Sequence, residues 1–184
     1  VHSRYFEEKG ECAMREVYRR EKKRIRFSRL GYLVLYWCLY LMKMLGNVPS
    51  PYSVGYEERA DIILSFNGSW LIFIGIFLLF ATNDNLFFIQ EQGKRIYVLE
   101  KYAIVPIHKK KLYNVRIWLF LETIFYSVIG ACVIYTIVTI ANGCAFSPYI
   151  LFLSAIKLFS ILVILMILIL VFGGFSQERQ FQKK

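Results

Sequence analysis

Two charged side chains lie inside long apolar runs: Glu122 in "VRIWLFLETIFYSVIG" and Lys157 in "YILFLSAIKLFSILVIL". A charge in hydrocarbon is costly enough that such a residue is a functional candidate by default. If the two runs are antiparallel membrane helices, Glu122 lies about 8 Å below one face and Lys157 about 12 Å below the other. Across a core of about 30 Å their heights differ by about 10 Å, which makes Glu122 and Lys157 a candidate intramembrane charge pair. The competing expectation is that Glu122 stays near the interface and Lys157 snorkels outward.

Other reactive chemistry is sparse. His2 and His108 are isolated, and Cys12, Cys38, Cys132 and Cys144 form no C-x-x-C pair, so neither a metal site nor a disulfide frame is expected. The stretch "YEERAD", Tyr56–Asp61, carries a glutamate pair. No histidine lies in any apolar run to ligate a metal or act as a base, and the serines and cysteines there lack a nucleophile–base partner. An intramembrane enzyme is therefore the least supported class. Asn67-Gly68-Ser69 matches a glycosylation sequon, but it falls at the start of an apolar run where membrane would hide it.

The elements that must position these residues are helices in a membrane. Of 184 residues 57% are hydrophobic and mean hydropathy is +0.46, whereas soluble domains have about 45–50% apolar residues even with glycine counted. Four runs are candidate spans: 30–46, 62–82, 117–142 and 149–172. None contains proline, and each can approach the roughly 20 residues a spanning helix needs. The second carries Asn67-Gly68-Ser69 and is expected to start late or to kink there. The expected fold is all-α and multi-pass.

The net charge of +10 is distributed unevenly. Arg15, Arg19, Arg20, Lys22, Lys23, Arg24, Arg26 and Arg29 precede the first run. Lys94, Arg95, Lys101, Lys109, Lys110, Lys111 and Arg116 fill the connection between the second and third. The first-to-second connection has only Arg59, and the third-to-fourth has none. The positive-inside rule then places both chain ends and the 83–116 loop in the cytoplasm, in a cell membrane or inner membrane. Tyr32, Trp70, Trp118 and Tyr149 fit interfacial aromatic belts. Basic residues that alternate with apolar runs argue for a membrane and against a nucleic-acid partner. In residues 1–29, Met14, Val17, Tyr18 and Ile25 share a helical face among Arg and Lys. That segment reads as an amphipathic helix on the inner membrane surface, or as a solvated charged helix, and not as a cleavable signal peptide.

The 83–116 loop has a pattern of its own. Ile96, Leu99 and Ala103 fall on one helical face with Tyr102 beside them, and Pro106 ends that helix. "IHKKKLYNVRIW" then restarts a helix that feeds the third run. A short helix with one apolar face must lie on the membrane or in a partner's groove.

In order along the loop come Glu91, Gly93, Leu99, Pro106, Ile107, Lys109-Lys110-Lys111 and Leu112. This series resembles the loop between the second and third spans of type-2 ATP-binding-cassette exporter permeases. There an acidic residue and a glycine precede a Leu-containing helix, a proline, an apolar residue and a basic stretch. The resemblance implies that the loop is a coupling helix docked on a separate ATPase. Glu91, Gly93, Ile96, Leu99, Tyr102, Ala103 and Pro106 would form the docking element. ATP and Mg would be held by that partner, since this sequence has no phosphate-binding loop and is expected to bind no cofactor itself. The resemblance also implies a second permease chain, identical or different, with membrane lipids around it. It further implies export of an amphipathic peptide, lipid or drug, against walls containing Tyr36, Trp37, Phe73, Phe77, Phe125 and Tyr126, although these aromatics equally fit lipid-facing or interhelical packing. Such permeases have six spans and the sequence shows four, so it is either a piece of a longer chain or a small subunit that completes its fold with a second one. Lys94 replaces the small residue that often follows the glycine. The alternative reading is a four-span accessory or sensor protein that transports nothing.

Overall fold

A computed structural model describes residues 2–49, 61–91, 94–97 and 109–181. Four helices dominate: α1 His2–Gly46, α2 Gly68–Phe87, α3 Lys109–Ala141 and α4 Pro148–Phe181. A hairpin of β1 Phe88–Glu91 and β2 Lys94–Tyr97 follows α2. Helix α1 packs against α2 and α3, and α4 packs against the same two, so α1 and α4 occupy opposite corners of a four-helix bundle. Helices α1 and α3 run one way. Lys22 and Arg29 near the middle of α1 meet Glu122 in the first half of α3, and farther along both helices Tyr40 and Tyr135 bond the same 64–66 backbone. Helix α2 runs the other way, bringing Phe87 at its end against Arg116 near the start of α3.

Three helical stretches are long and apolar enough to cross a membrane: Gly68–Phe87, Asn114–Ala141 and Pro148–Phe172. The apolar half of α1 is not among them. Arg29 and Lys43 flank it, and Tyr32, Tyr36 and Tyr40 dilute its aliphatic residues. Large apolar side chains are nonetheless exposed around the whole bundle, among them Met42, Phe73, Phe77, Trp118, Ile137, Phe152 and Ile164. That surface suits lipid rather than water.

Several boundaries differ from the sequence expectation. Helix α1 is continuous from His2 to Gly46, with no break at 29–30, so the basic segment and the first apolar run form one rod of about 68 Å. One face carries Lys22, Ile25, Arg29, Leu33, Tyr36, Tyr40 and Met44, spaced three or four apart, and from Ile25 onward its apolar members are buried. Residues 62–67 are not helical. Asn67 adopts a left-handed conformation (φ 51°, ψ 43°), which asparagine tolerates better than most residues, and α2 begins at Gly68. The loop is not all helix either, because the hairpin occupies its first part.

The 142–147 connection is built from standard parts. Gly143 has φ 67°, and Cys144 N–H reaches back to Thr139 C=O at 3.0 Å, closing α3 in the manner of a Schellman turn. Pro148 opens α4 as its first residue, where its missing amide hydrogen costs nothing. Among lipids the hydrophobic effect does not press helices together, so close packing and interhelical hydrogen bonds must hold them. At Gly130 an added Cβ would sit 2.2 Å from Trp37 Nε1, which places the α1 indole directly on the α3 backbone.

Candidate functional site

Chemistry-bearing side chains gather at three places along the bundle. The first is the charged joint at its basic end. Glu122 accepts from Lys22 Nζ at 2.6 Å on Oε1 and from Arg29 Nη1 at 2.9 Å on Oε2. Lys22 and Arg29 are seven residues apart, two helical turns, so both face α3. Arg29 also lies over the Tyr126 ring, 5.9 Å from its centroid. Fully buried Arg116 faces Phe87 one to two turns nearer the start of α3, 5.3 Å from the ring centroid. Glu122 therefore has partners, but Lys157 is not one of them. Counted along their helices, Glu122 lies about 28 Å from the far end of α3, and Lys157 about 14 Å from the start of α4 at that same end. A height gap of about 15 Å separates the expected pair.

Lys22 and Arg29 are partners of Glu122 that the sequence pattern does not name directly. The signal was present: the apolar stripe Ile25, Leu33, Tyr36, Tyr40, Met44 extends backward through Arg29 and Lys22 in the same register.

The second place is the loop. Strands β1 and β2 are antiparallel, with Phe88 opposite Tyr97, Ile89 opposite Ile96, Gln90 opposite Arg95 and Glu91 opposite Lys94. Glu91 and Ile96 thus lie in strands, and the expected helix does not include Ile96. The local sequence is consistent with this: aromatic and β-branched residues at Phe88, Ile89, Ile96 and Tyr97 favour strand. Gly93, Leu99, Tyr102, Ala103 and Pro106 lie outside the described residues.

The third place is the opposite end. Residues 62–67 run into the bundle as an extended segment. Ala145 N–H bonds Ile62 C=O at 2.9 Å, next to a parallel bridge between Ile63 and Ala145. Leu64 and Phe66 are buried. Extended backbone there leaves carbonyls without helical partners, and two tyrosines supply donors. Tyr135 donates to Leu64 C=O and Tyr40 to Phe66 C=O, both at 2.9 Å. Phe66 is edge-on to both rings, with centroids at 5.6 Å from Tyr135 and 6.1 Å from Tyr40. Beside this plug a cleft of about 390 Å³ opens between the start of α2 and α4, lined in part by Ser65, Ser69, Ser154 and Lys157.

The six aromatics expected as substrate walls differ in exposure. Tyr36 is buried and Trp37 half-buried, whereas Phe73, Phe77, Phe125 and Tyr126 face outward. Cys38, Cys132 and Cys144 are free thiols, and no group of metal-ligating side chains occurs among the described residues. Comparison with known proteins yields no matching family model, no matching curated protein and no matching solved structure.

Proposed function

We propose that the chain is a permease subunit of an ATP-binding-cassette transporter, exporting an amphipathic substrate by means of a separate ATPase. In this reading α1 to α4 all cross a cell membrane, with the basic end in the cytoplasm. The observation that carries the proposal is a mechanical path from the 83–116 loop into the bundle. Helix α2 runs from Phe87 directly into β1 at Phe88, and α3 starts at Lys109 on the other side of the loop. Glu122 then ties α3 to α1 through Lys22 and Arg29. A displacement of the loop would be delivered to three helices together. The ATPase would hold ATP and Mg, and closure of its nucleotide sites would pull on the loop. A second permease chain would complete the pathway.

Placement of Ile96 in a strand favours a second reading, a four-helix accessory or sensor protein, because the expected docking helix then loses its first apolar contact. Crosslinking separates the two. A single cysteine at Tyr102, in a background without native cysteines, is crosslinked in native membranes and its partners are identified by mass spectrometry. Capture of an ATP-binding-cassette ATPase supports the permease. Capture of lipid or of a second copy alone, with the cysteine shown to be reactive, overturns docking and favours the accessory protein.

A further inference from the structure

We propose that the cleft between α2 and α4 is a binding site for the anionic headgroup of a phospholipid, with Lys157 as its cation. The inference rests on the membrane orientation set by the basic residues and not on the transport reading.

The cleft lies at the end opposite the basic one, hence in the outer half of the membrane. Among the described residues its lining has one cation and no carboxylate. Lys157 has no hydrogen-bond or ion-pair partner among the described residues. An ammonium at this depth is costly without a counter-charge. Snorkelling is its available relief, and the geometry directs it. Side chains on a helix lean toward its N-terminus, so Lys157 points along α4 toward Ser154, one turn nearer the outer end. There the hydroxyls of Ser65, Ser69 and Ser154 line the same space. Asn67 adds no free amide, because its Nδ2 already donates to Ser65 C=O at 3.2 Å and contacts Met44 Sδ at 3.7 Å.

An ammonium with several hydroxyl donors is chemistry for an oxyanion. The rest of the lining selects the kind. Ile72, Ile150, Leu158 and Ile161 form an apolar wall beneath the donors. A fully hydrated free anion would gain nothing from that wall, whereas the first methylenes of an acyl chain would cover it. A volume of about 390 Å³ falls at the small end of ligand pockets, which span about 300–1,000 Å³. It holds a headgroup and the start of the chains, and the exposed flanks Phe152, Leu153 and Ile156 leave the remainder in the surrounding bilayer.

The test uses the full chain in bilayer discs with a phosphatidylglycerol probe carrying a photoreactive group near the headgroup. Labelled residues are mapped by mass spectrometry. Label is expected within 63–72 and 150–161. Lys157→Gln is expected to reduce it about tenfold, the loss of one charge-assisted hydrogen bond, and Lys157→Arg to retain it. Circular dichroism and a monodisperse elution profile check that both variants fold. Equal labelling by the matching phosphatidylcholine probe, or undiminished labelling of Lys157→Gln, overturns the proposal. Displacement of the label by inorganic phosphate also overturns it, since the occupant would then be a free anion.

Discussion

Glu122→Gln tests whether the charged joint between α1 and α3 holds the basic end of the bundle together. The substitution keeps shape and removes the charge. The two cations it releases are not equivalent: the Arg29 side chain is 11% exposed, and that of Lys22 is 39% exposed. Breaking a buried ion pair by deleting one partner costs about 3–5 kcal/mol, because the remaining charge is left desolvated. Glu122 and Arg29 are mostly rather than fully buried, so about 2–3 kcal/mol is the expected share for that pair. Lys22 can turn to water, and its contact is worth at most about 1 kcal/mol. The expected order of destabilisation is Glu122→Gln, then Arg29→Gln, then Lys22→Gln. Thermal unfolding of the full chain in detergent reads this order. At roughly 2–4 °C per kcal/mol for a chain of this size, Glu122→Gln should lower Tm by about 5–10 °C.

A double-mutant cycle isolates each contact. Coupling of Arg29 with Glu122 should be about 2 kcal/mol and that of Lys22 with Glu122 below about 1 kcal/mol. Coupling of Lys157 with Glu122 should vanish, because the two are too far apart in height to interact. The triple change Lys22→Gln, Arg29→Gln, Glu122→Gln should be less damaging than Glu122→Gln alone, since no charge is left without a partner. The reasoning is refuted if Lys22→Gln destabilises as much as Arg29→Gln, or if the triple variant is the worst of the set.

Three further outcomes are expected. Gly130→Ala should destabilise by about 1–3 kcal/mol through collision with Trp37, because the new Cβ would lie 2.2 Å from Nε1. Gly31→Ala, with nothing within 4 Å, should instead raise Tm slightly from helix propensity worth about 1 kcal/mol. Tyr135→Phe and Tyr40→Phe each remove a donor from a buried carbonyl, at about 1–3 kcal/mol. Each should also increase labelling of a cysteine placed at Leu64 in a background lacking native cysteines. For orientation, a cysteine at Asp61 in that background should react with a membrane-impermeant maleimide in intact cells, and one at Lys23 only after permeabilisation. The reverse pattern would overturn the membrane placement.

The helices were legible because α2, α3 and α4 each carry a long apolar stretch. Their ends were legible where a local residue dictated them, as Pro148 does for α4 and Asn67-Gly68 for α2. In the 87–103 stretch the i, i+3 spacing of Ile96 and Leu99 competes with the β-branched and aromatic pairs of Phe88, Ile89, Ile96 and Tyr97, and the hairpin takes Ile96. Both patterns coexist in "FFIQEQGKRIYVLEKYA", and a window this short does not separate period 2 from period 3.6 by apolar spacing alone. The Tyr40–Phe66 and Tyr135–Leu64 contacts had no sequence signal. A tyrosine in an apolar run reads as an interfacial or packing residue until the backbone it serves is placed.

Glu122 and Lys157 look alike in the sequence, each a lone charge in an apolar run, yet their surroundings differ in kind. Glu122 sits where the basic stripe of α1 has been carried along a continuous helix into the bundle, so its counter-charges come from a neighbour packed beside it. That supply depends on α1 having no break at 29–30: a kink there would have turned Lys22 away from α3 while leaving Arg29 close. Lys157 has no such neighbour among the described residues: α1, which carries the Lys22–Arg29 charges, lies diagonally opposite, and the 63–67 segment and the start of α2 line its cleft with serines, Asn67 and apolar groups. Ion pairs within the chain neutralise the first charge, whereas the second has no ion-pair partner among the described residues. The same diagonal that gives α1 its hold on α3 keeps its cations away from Lys157, which is why the proposed headgroup site falls on α4.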